Sequence, residues 1–127
     1  MVTRSHPDPV VVSDSTVVTK AAMRAAKRLR LSNKVLARVI GVSEATVSRM
    51  SRGDYELEKG QKPFELAVMF VRMYRSLDAV VAGDDAIASA WLANHNTVLN
   101  GTPLDLVQSV SGLVNVIQYL DGRRALV

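Results

Sequence analysis

The chain has 127 residues, enough for one domain or two small ones, and it is 48% hydrophobic but only 5% aromatic, so any core must be aliphatic and alanine-rich. It contains no cysteine, which excludes disulfides, thiolate metal sites and cysteine nucleophiles and fits a reducing cytoplasm. The net charge of +4 is unevenly spread: residues 19–53 hold nine basic side chains against Glu44 alone, and a basic field of this kind attracts phosphate.

Residues 1–18 hold Pro7, Pro9 and scattered Ser and Asp, and read as a flexible N-terminal arm that includes His6. No signal peptide is expected, because Val10, Val11 and Val12 form a run of only three. No apolar run reaches the ~18 residues of a membrane span, so no membrane partner is expected either. Residues 19–30, TKAAMRAAKRLR, predict a helix capped by Thr19. Ala22, Met23, Ala26 and Leu29 form its buried stripe, and Lys20, Arg24, Lys27 and Arg28 surround it. This helix would cross the next two and lend phosphate contacts.

Residues 33–40 carry Val35, Leu36, Val39 and Ile40 at helical spacing. Gly41 ends that helix, because the left-handed conformation costs glycine little. Val42 points inward, and Ser43 caps a second helix whose inner residues are Val47 and Met50. Ala37 is small where the second helix crosses over it, Gly41 makes the turn and Val47 fills the space between the helices. This placement resembles the helix-turn-helix of the Xre and phage-repressor family. The resemblance implies that the second helix lies in the major groove with its N-terminal end toward the bases. The DNA-binding residues would be Asn33, Lys34, Ser43, Glu44, Ala45, Ser48, Arg49 and Arg52. Arg49 suits a bidentate contact to guanine, whereas Glu44 can only accept, for example from cytosine N4.

Residues 54–62 read as a polar loop, and Pro63 suits the first turn of a helix over residues 63–82. Phe64, Ala67, Val68, Val71, Tyr74, Leu77 and Val81 keep helical spacing, and Met69, Phe70 and Met73 widen the apolar surface. Such a helix needs more than one neighbour, either the C-terminal part or a second copy of the chain. Gly83 ends it, and Asp84 or Asp85 caps the next helix, where a carboxylate meets the positive end of the dipole. Residues 85–93 predict a short helix with Ile87, Ala90 and Trp91 facing in. Residues 94–102, NHNTVLNGT, form a loop. Pro103 opens a helix with Leu104, Leu106, Val107 and Val110 inward, Gly112 permits close helix contact, and Leu113, Val116, Ile117 and Leu120 continue the core. Asp121-Gly122 stops the last helix and leaves Arg123 to Val127 as a tail.

The expected fold is all-α: an arm (residues 1–18), a helix-turn-helix region (19–62), a central connecting helix (63–82) and a small helical domain (83–127). No catalytic constellation is present. His6 and His95 are far apart, and the sequence has no glycine-rich phosphate loop, metal-ligand spacing or Ser/His/Asp order. The chain is therefore not expected to be an enzyme, and neither cofactor nor metal is expected.

The second half carries a Trp91-Leu92 pair, an asparagine-containing loop from Asn94 through Leu99 to Gly101, Pro103-Leu104, and the series Ser109, Gly112, Val116 and Leu120. In this order, behind an Xre-like motif, these residues resemble the toxin-binding domain of the Xre/MbcA/ParS antitoxins. The resemblance implies an antitoxin that blocks the active site of a RES-class, NAD-using toxin and binds operator DNA to regulate its own expression. The assembly would be a homodimer or a toxin–antitoxin hetero-oligomer. The toxin-binding residues would be Trp91, Asn94, Leu99, Arg123, Arg124, Leu126 and Val127, with residues 122–127 reaching the toxin's active-site opening. A guanidinium there can bond acidic pocket residues or occupy a phosphate subsite. The alternative is a stand-alone Xre-type repressor whose C-terminal half serves dimerisation.

Overall fold

The computed structural model describes residues 12–125. Its described residues form seven helices: α1 (Asp14–Arg28), α2 (Asn33–Ile40), α3 (Glu44–Ser51), α4 (Lys62–Val80), α5 (Asp85–Ala93), α6 (Pro103–Leu106) and α7 (Val110–Arg124). Helix α4 is the axle. It packs against α1 and α2 on one side and against α7 on the other, with α5 at its end. Its buried stripe is Leu66, Ala67, Phe70, Met73, Ser76 and Leu77. The stripe expected from spacing is thus rotated: Phe70 and Met73 are fully buried, while Val68 is 44% exposed. One continuous core runs from Ala22 and Leu29 through Leu36, Ile40 and Val47 to Leu113, Val116 and Leu120.

Several helix ends follow from local chemistry. The Ser32 and Ser43 side chains accept from the backbone N–H groups of Val35 and Thr46, at 3.1 and 3.0 Å, and cap α2 and α3. Gly41 takes the left-handed conformation at φ 77° and sends the chain out of α2. The Asp84 carboxylate accepts from the Ile87 N–H at 3.0 Å, so it caps α5. Gly112 lies where α7 crosses the carbonyl of Leu106, and a Cβ there would collide with that backbone.

Five expectations are corrected. The first helix starts at Asp14 under a Ser13 cap, so residues 14–18 of the expected arm are helical. Thr19 is buried inside α1 instead of capping it, and its hydroxyl accepts from the Leu57 N–H at 2.9 Å. That bond anchors the loop before α4, which inserts a fully buried Leu57 into the core. In α5 the buried pair is Ala88 and Leu92, while Ile87 is 54% exposed and Ala90 is also exposed. Helix α6 is four residues long and buries Pro103, while Val110 is exposed. Finally, α7 runs past Asp121 and Gly122 to Arg124. The Asp121 carboxylate accepts from Arg72 at 2.5 Å and from the Ser76 hydroxyl at 2.8 Å, which ties the last turn to α4.

Candidate functional surfaces

The first surface is the outer face of α2 and α3. Ala37 and Val47 are 4% and 0% exposed, so the two helices meet where the sequence reading put them. Asn33, Lys34, Ser43, Glu44, Ala45, Arg49 and Arg52 are exposed, and Ser48 is half-buried. The arginine heads are held. Arg49 donates to the Thr46 hydroxyl at 3.0 Å and lies 5.9 Å from the centre of the Tyr55 ring. Arg52 donates to the Ser48 hydroxyl at 2.9 Å and to Asp54 at 3.2 Å. Thr46 and Tyr55 were missed from sequence. The i, i+3 spacing of Thr46 and Arg49 could have signalled the first, but nothing local pairs Arg49 with Tyr55.

Beside this face, Arg24, Lys27, Arg28 and Arg30 line an open cleft of about 660 Å³ with Ser51 and Asp85. Arg30 has left the helix in the left-handed conformation, at φ 60°. Arg28 donates to the Tyr74 hydroxyl at 3.3 Å, and chiefly this bond holds its pKa above the ordinary arginine value. One buried Asp85 carboxylate oxygen has no protein partner.

The second surface is the outward side of α5 together with the end of α7. Trp91 stacks on Tyr119, with centroids 6.1 Å apart and planes at 17°. Ile87, Val80 and Val81 extend this apolar shelf, and Arg123 closes one end of the same hollow. On the other side of Trp91 a second hollow is lined by Ile87, Ala90, Asn94, His95 and Asn96. The Asn94 side chain donates to the Ala90 carbonyl at 2.6 Å and finishes α5. Asn96 and Gly101 exchange backbone hydrogen bonds of 2.9 and 3.2 Å, and the Asn96 side chain accepts from the Leu99 N–H at 3.0 Å. The asparagine loop is thereby fixed against the shelf.

Of the residues singled out for toxin contact, Trp91, Asn94 and Arg123 gather around Ile87. Leu99 instead leans on the core from within the loop. Arg124 turns to the other side of α7, where its guanidinium lies 3.5 Å from the Ser76 hydroxyl. Leu126 and Val127 lie outside the described residues. Ile87 and Tyr119 were missed. Ile87 was assigned to the core because its spacing fits either face of a short helix.

The two surfaces define a helix-turn-helix motif joined to a second helical unit with an apolar outer face. Comparison with known proteins agrees with that division. The family model described as the antitoxin Xre-like helix-turn-helix domain matches residues 9–72. The model described as the antitoxin Xre/MbcA/ParS C-terminal toxin-binding domain matches residues 76–125. Among solved structures, the fold is similar to a chain in the crystal structure of the M. tuberculosis MbcT–MbcA toxin–antitoxin complex. The TM-score is 0.67 at 20% identity, over 87% of this chain and 96% of that one. No curated protein matches in sequence. The chain belongs to the Xre/MbcA/ParS antitoxin family. Among the described residues, no helix is long and apolar enough to cross a membrane.

Proposed function

We propose that this antitoxin neutralises a RES-class, NAD-using toxin by covering the toxin's active-site opening, and that it binds operator DNA through α2 and α3. The observation that carries the first part is the apolar shelf of exposed Ile87 and half-buried Trp91 and Tyr119, with Arg123 at its edge. An apolar centre with an arginine beside it is the composition of an interface hot spot. Docking there would bring the end of α7 to the toxin, with Arg123 as the group that meets an acidic or phosphate-binding pocket. Neutralisation is then steric occlusion and needs no chemistry from this chain.

For the second part, support comes from the buried Ala37–Val47 crossing and the exposed basic residues beside it. The hydrogen bond from Arg49 to Thr46 and its cation–π contact with the Tyr55 ring orient the guanidinium before DNA arrives, which lowers the ordering cost of binding. A dimer or a toxin–antitoxin assembly would set two copies of α3 one turn of DNA apart on a roughly palindromic operator.

The test separates the two surfaces. Affinity for upstream DNA and for the product of the neighbouring reading frame is measured for Arg49→Ala and for Ile87→Asp. Arg49→Ala is expected to lose about 5- to 150-fold in DNA affinity, from a contact worth about 1–3 kcal/mol, and to keep the toxin. Ile87→Asp is expected to do the reverse. Joint loss of both activities in either variant would refute the two-surface reading.

A further inference from the structure

Two exposed valines, Val17 on α1 and Val68 on α4, line a hollow that shares no residue with the α2–α3 face or the Trp91 shelf. Val17 is 52% exposed and Val68 is 44% exposed. Together with Val18, Ala21 and Val71 they floor a groove of about 660 Å³. The groove does not end there. Ala21, Val71 and Arg75 also line the next hollow along α1, which adds Arg24, Arg28 and Tyr74. The two hollows form one furrow with an apolar floor between two packed helices.

The rim of the furrow is basic. Arg72, Arg75 and Arg124 stand over its first part, and Arg24 and Arg28 over its second. The acidic side chains facing it are Asp78 and Asp121. Asp121 is already committed to Arg72 and Ser76. Among the described residues, Arg24 and Arg75 enter no ion pair. An apolar floor under these two arginines suits an acidic, partly apolar partner better than a bare polyanion.

We infer that the furrow along α1 and α4 is a docking groove for an acidic amphipathic helix of a partner protein, distinct from the shelf around Trp91. The shape favours a helix, because two packed helices leave a groove that a third can fill with an i, i+4 apolar stripe. From Val17 to Arg28, α1 rises about 17 Å, so a partner helix of about three turns matches it. Charge complementarity selects the flanks: Glu or Asp on both sides of an aliphatic stripe would meet the arginines. A second copy of the chain is the poorer occupant, since a two-fold contact sets the same basic face against itself. The chain's own residues 1–11 carry a single acidic side chain, Asp8, and so lack an acidic stripe.

The probe is a fluorescein-labelled designed helix of about 16 residues, with leucine at i, i+4 spacing and glutamate on both flanks. Binding to the full chain is followed by anisotropy. Saturable one-to-one binding is expected, weakened at least tenfold by Val68→Asp and by Arg75→Glu. Both residues are exposed, so both variants keep the fold, which thermal melts verify. Ile87→Asp and Arg49→Ala should leave the peptide affinity unchanged. A lysine-flanked version of the peptide should not bind. The inference is overturned by any of four results: no saturation, equal binding of the lysine peptide, loss that follows Ile87 or Arg49, or a wild-type dimer that Val68→Asp dissolves. The last result would seat a second copy in the furrow. None of these outcomes touches the toxin or DNA measurements above.

Discussion

Gly112 and Gly122 lie in the same helix, and one substitution should act on them with opposite sign. Alanine is favoured over glycine inside a helix by roughly 0.5–1 kcal/mol. At Gly122 nothing lies within 4 Å of an added Cβ, and the residue sits in the last turn of α7. Gly122→Ala should therefore stabilise the protein by about 0.5 kcal/mol, the low end of that range. At Gly112 the added Cβ would strike the Leu106 carbonyl and come within 2.9 Å of the Ser109 hydroxyl that caps α7. The obstacle is backbone, so relief requires moving α6 away from α7. Overpacking of this kind costs about 1–3 kcal/mol, so after a propensity gain of about 0.5 kcal/mol the net loss is about 0.5–2.5 kcal/mol. With about 4 °C per kcal/mol for a chain of this size, Gly112→Ala should melt about 2–10 °C below wild type. Gly122→Ala should melt at or slightly above it. Circular dichroism melts of the two variants and wild type suffice. A Gly112→Ala protein as stable as Gly122→Ala would refute the close approach of α6 and α7.

Thr19→Val keeps the shape of a buried side chain but removes the acceptor for the Leu57 N–H. A buried unpaired donor costs about 1–3 kcal/mol, and denaturant unfolding should register it without a change in slope. Asp121 supplies a pH test. The hydrogen bond from Ser76, aided by Arg72, holds its carboxyl below the ordinary carboxylate value, while partial burial opposes this. A depressed folded pKa gives stability that is present above the unfolded value of about 3.9 and is lost as pH falls through the folded value. Wild type should therefore exceed Asp121→Asn in melting temperature at neutral pH and converge on it in acid. A gap independent of pH would show that the carboxylate charge is not what ties α7 to α4.

What the sequence revealed was mostly local. Ser32, Gly41, Ser43 and Asp84 each act within a few residues, so their roles as caps and turn could be read directly. The inner residues of α7 were legible because four aliphatic side chains keep one period. The misses share a non-local cause. Val-rich, Ser- and Thr-rich residues 12–19 have weak helix propensity. Residues 14–19 are helical because Thr19 holds Leu57, Thr16 donates to Glu56 and Lys59 pairs with Asp14. Asp121-Gly122 reads as a stop, yet two groups on α4, more than forty residues earlier, carry the helix through it. In α5 Ile87 points out while Ala88 points in beside Leu92, an inversion that periodicity cannot resolve in nine residues. That inversion, which exposes isoleucine and half-exposes tryptophan, is the observation on which the proposed toxin contact rests.

The most direct measurement is growth and cellular NAD in cells that co-express the neighbouring reading frame with wild type, Ile87→Asp or Arg123→Glu. Toxicity of the neighbour alone, rescue of growth and NAD by wild type, and failure of rescue by Ile87→Asp are the expected results. Arg123→Glu should fail as well if the end of α7 meets the toxin's pocket. Full rescue by both variants would remove the shelf as the neutralising surface. A neighbour that leaves growth and NAD unchanged would contradict the proposed RES-class target itself.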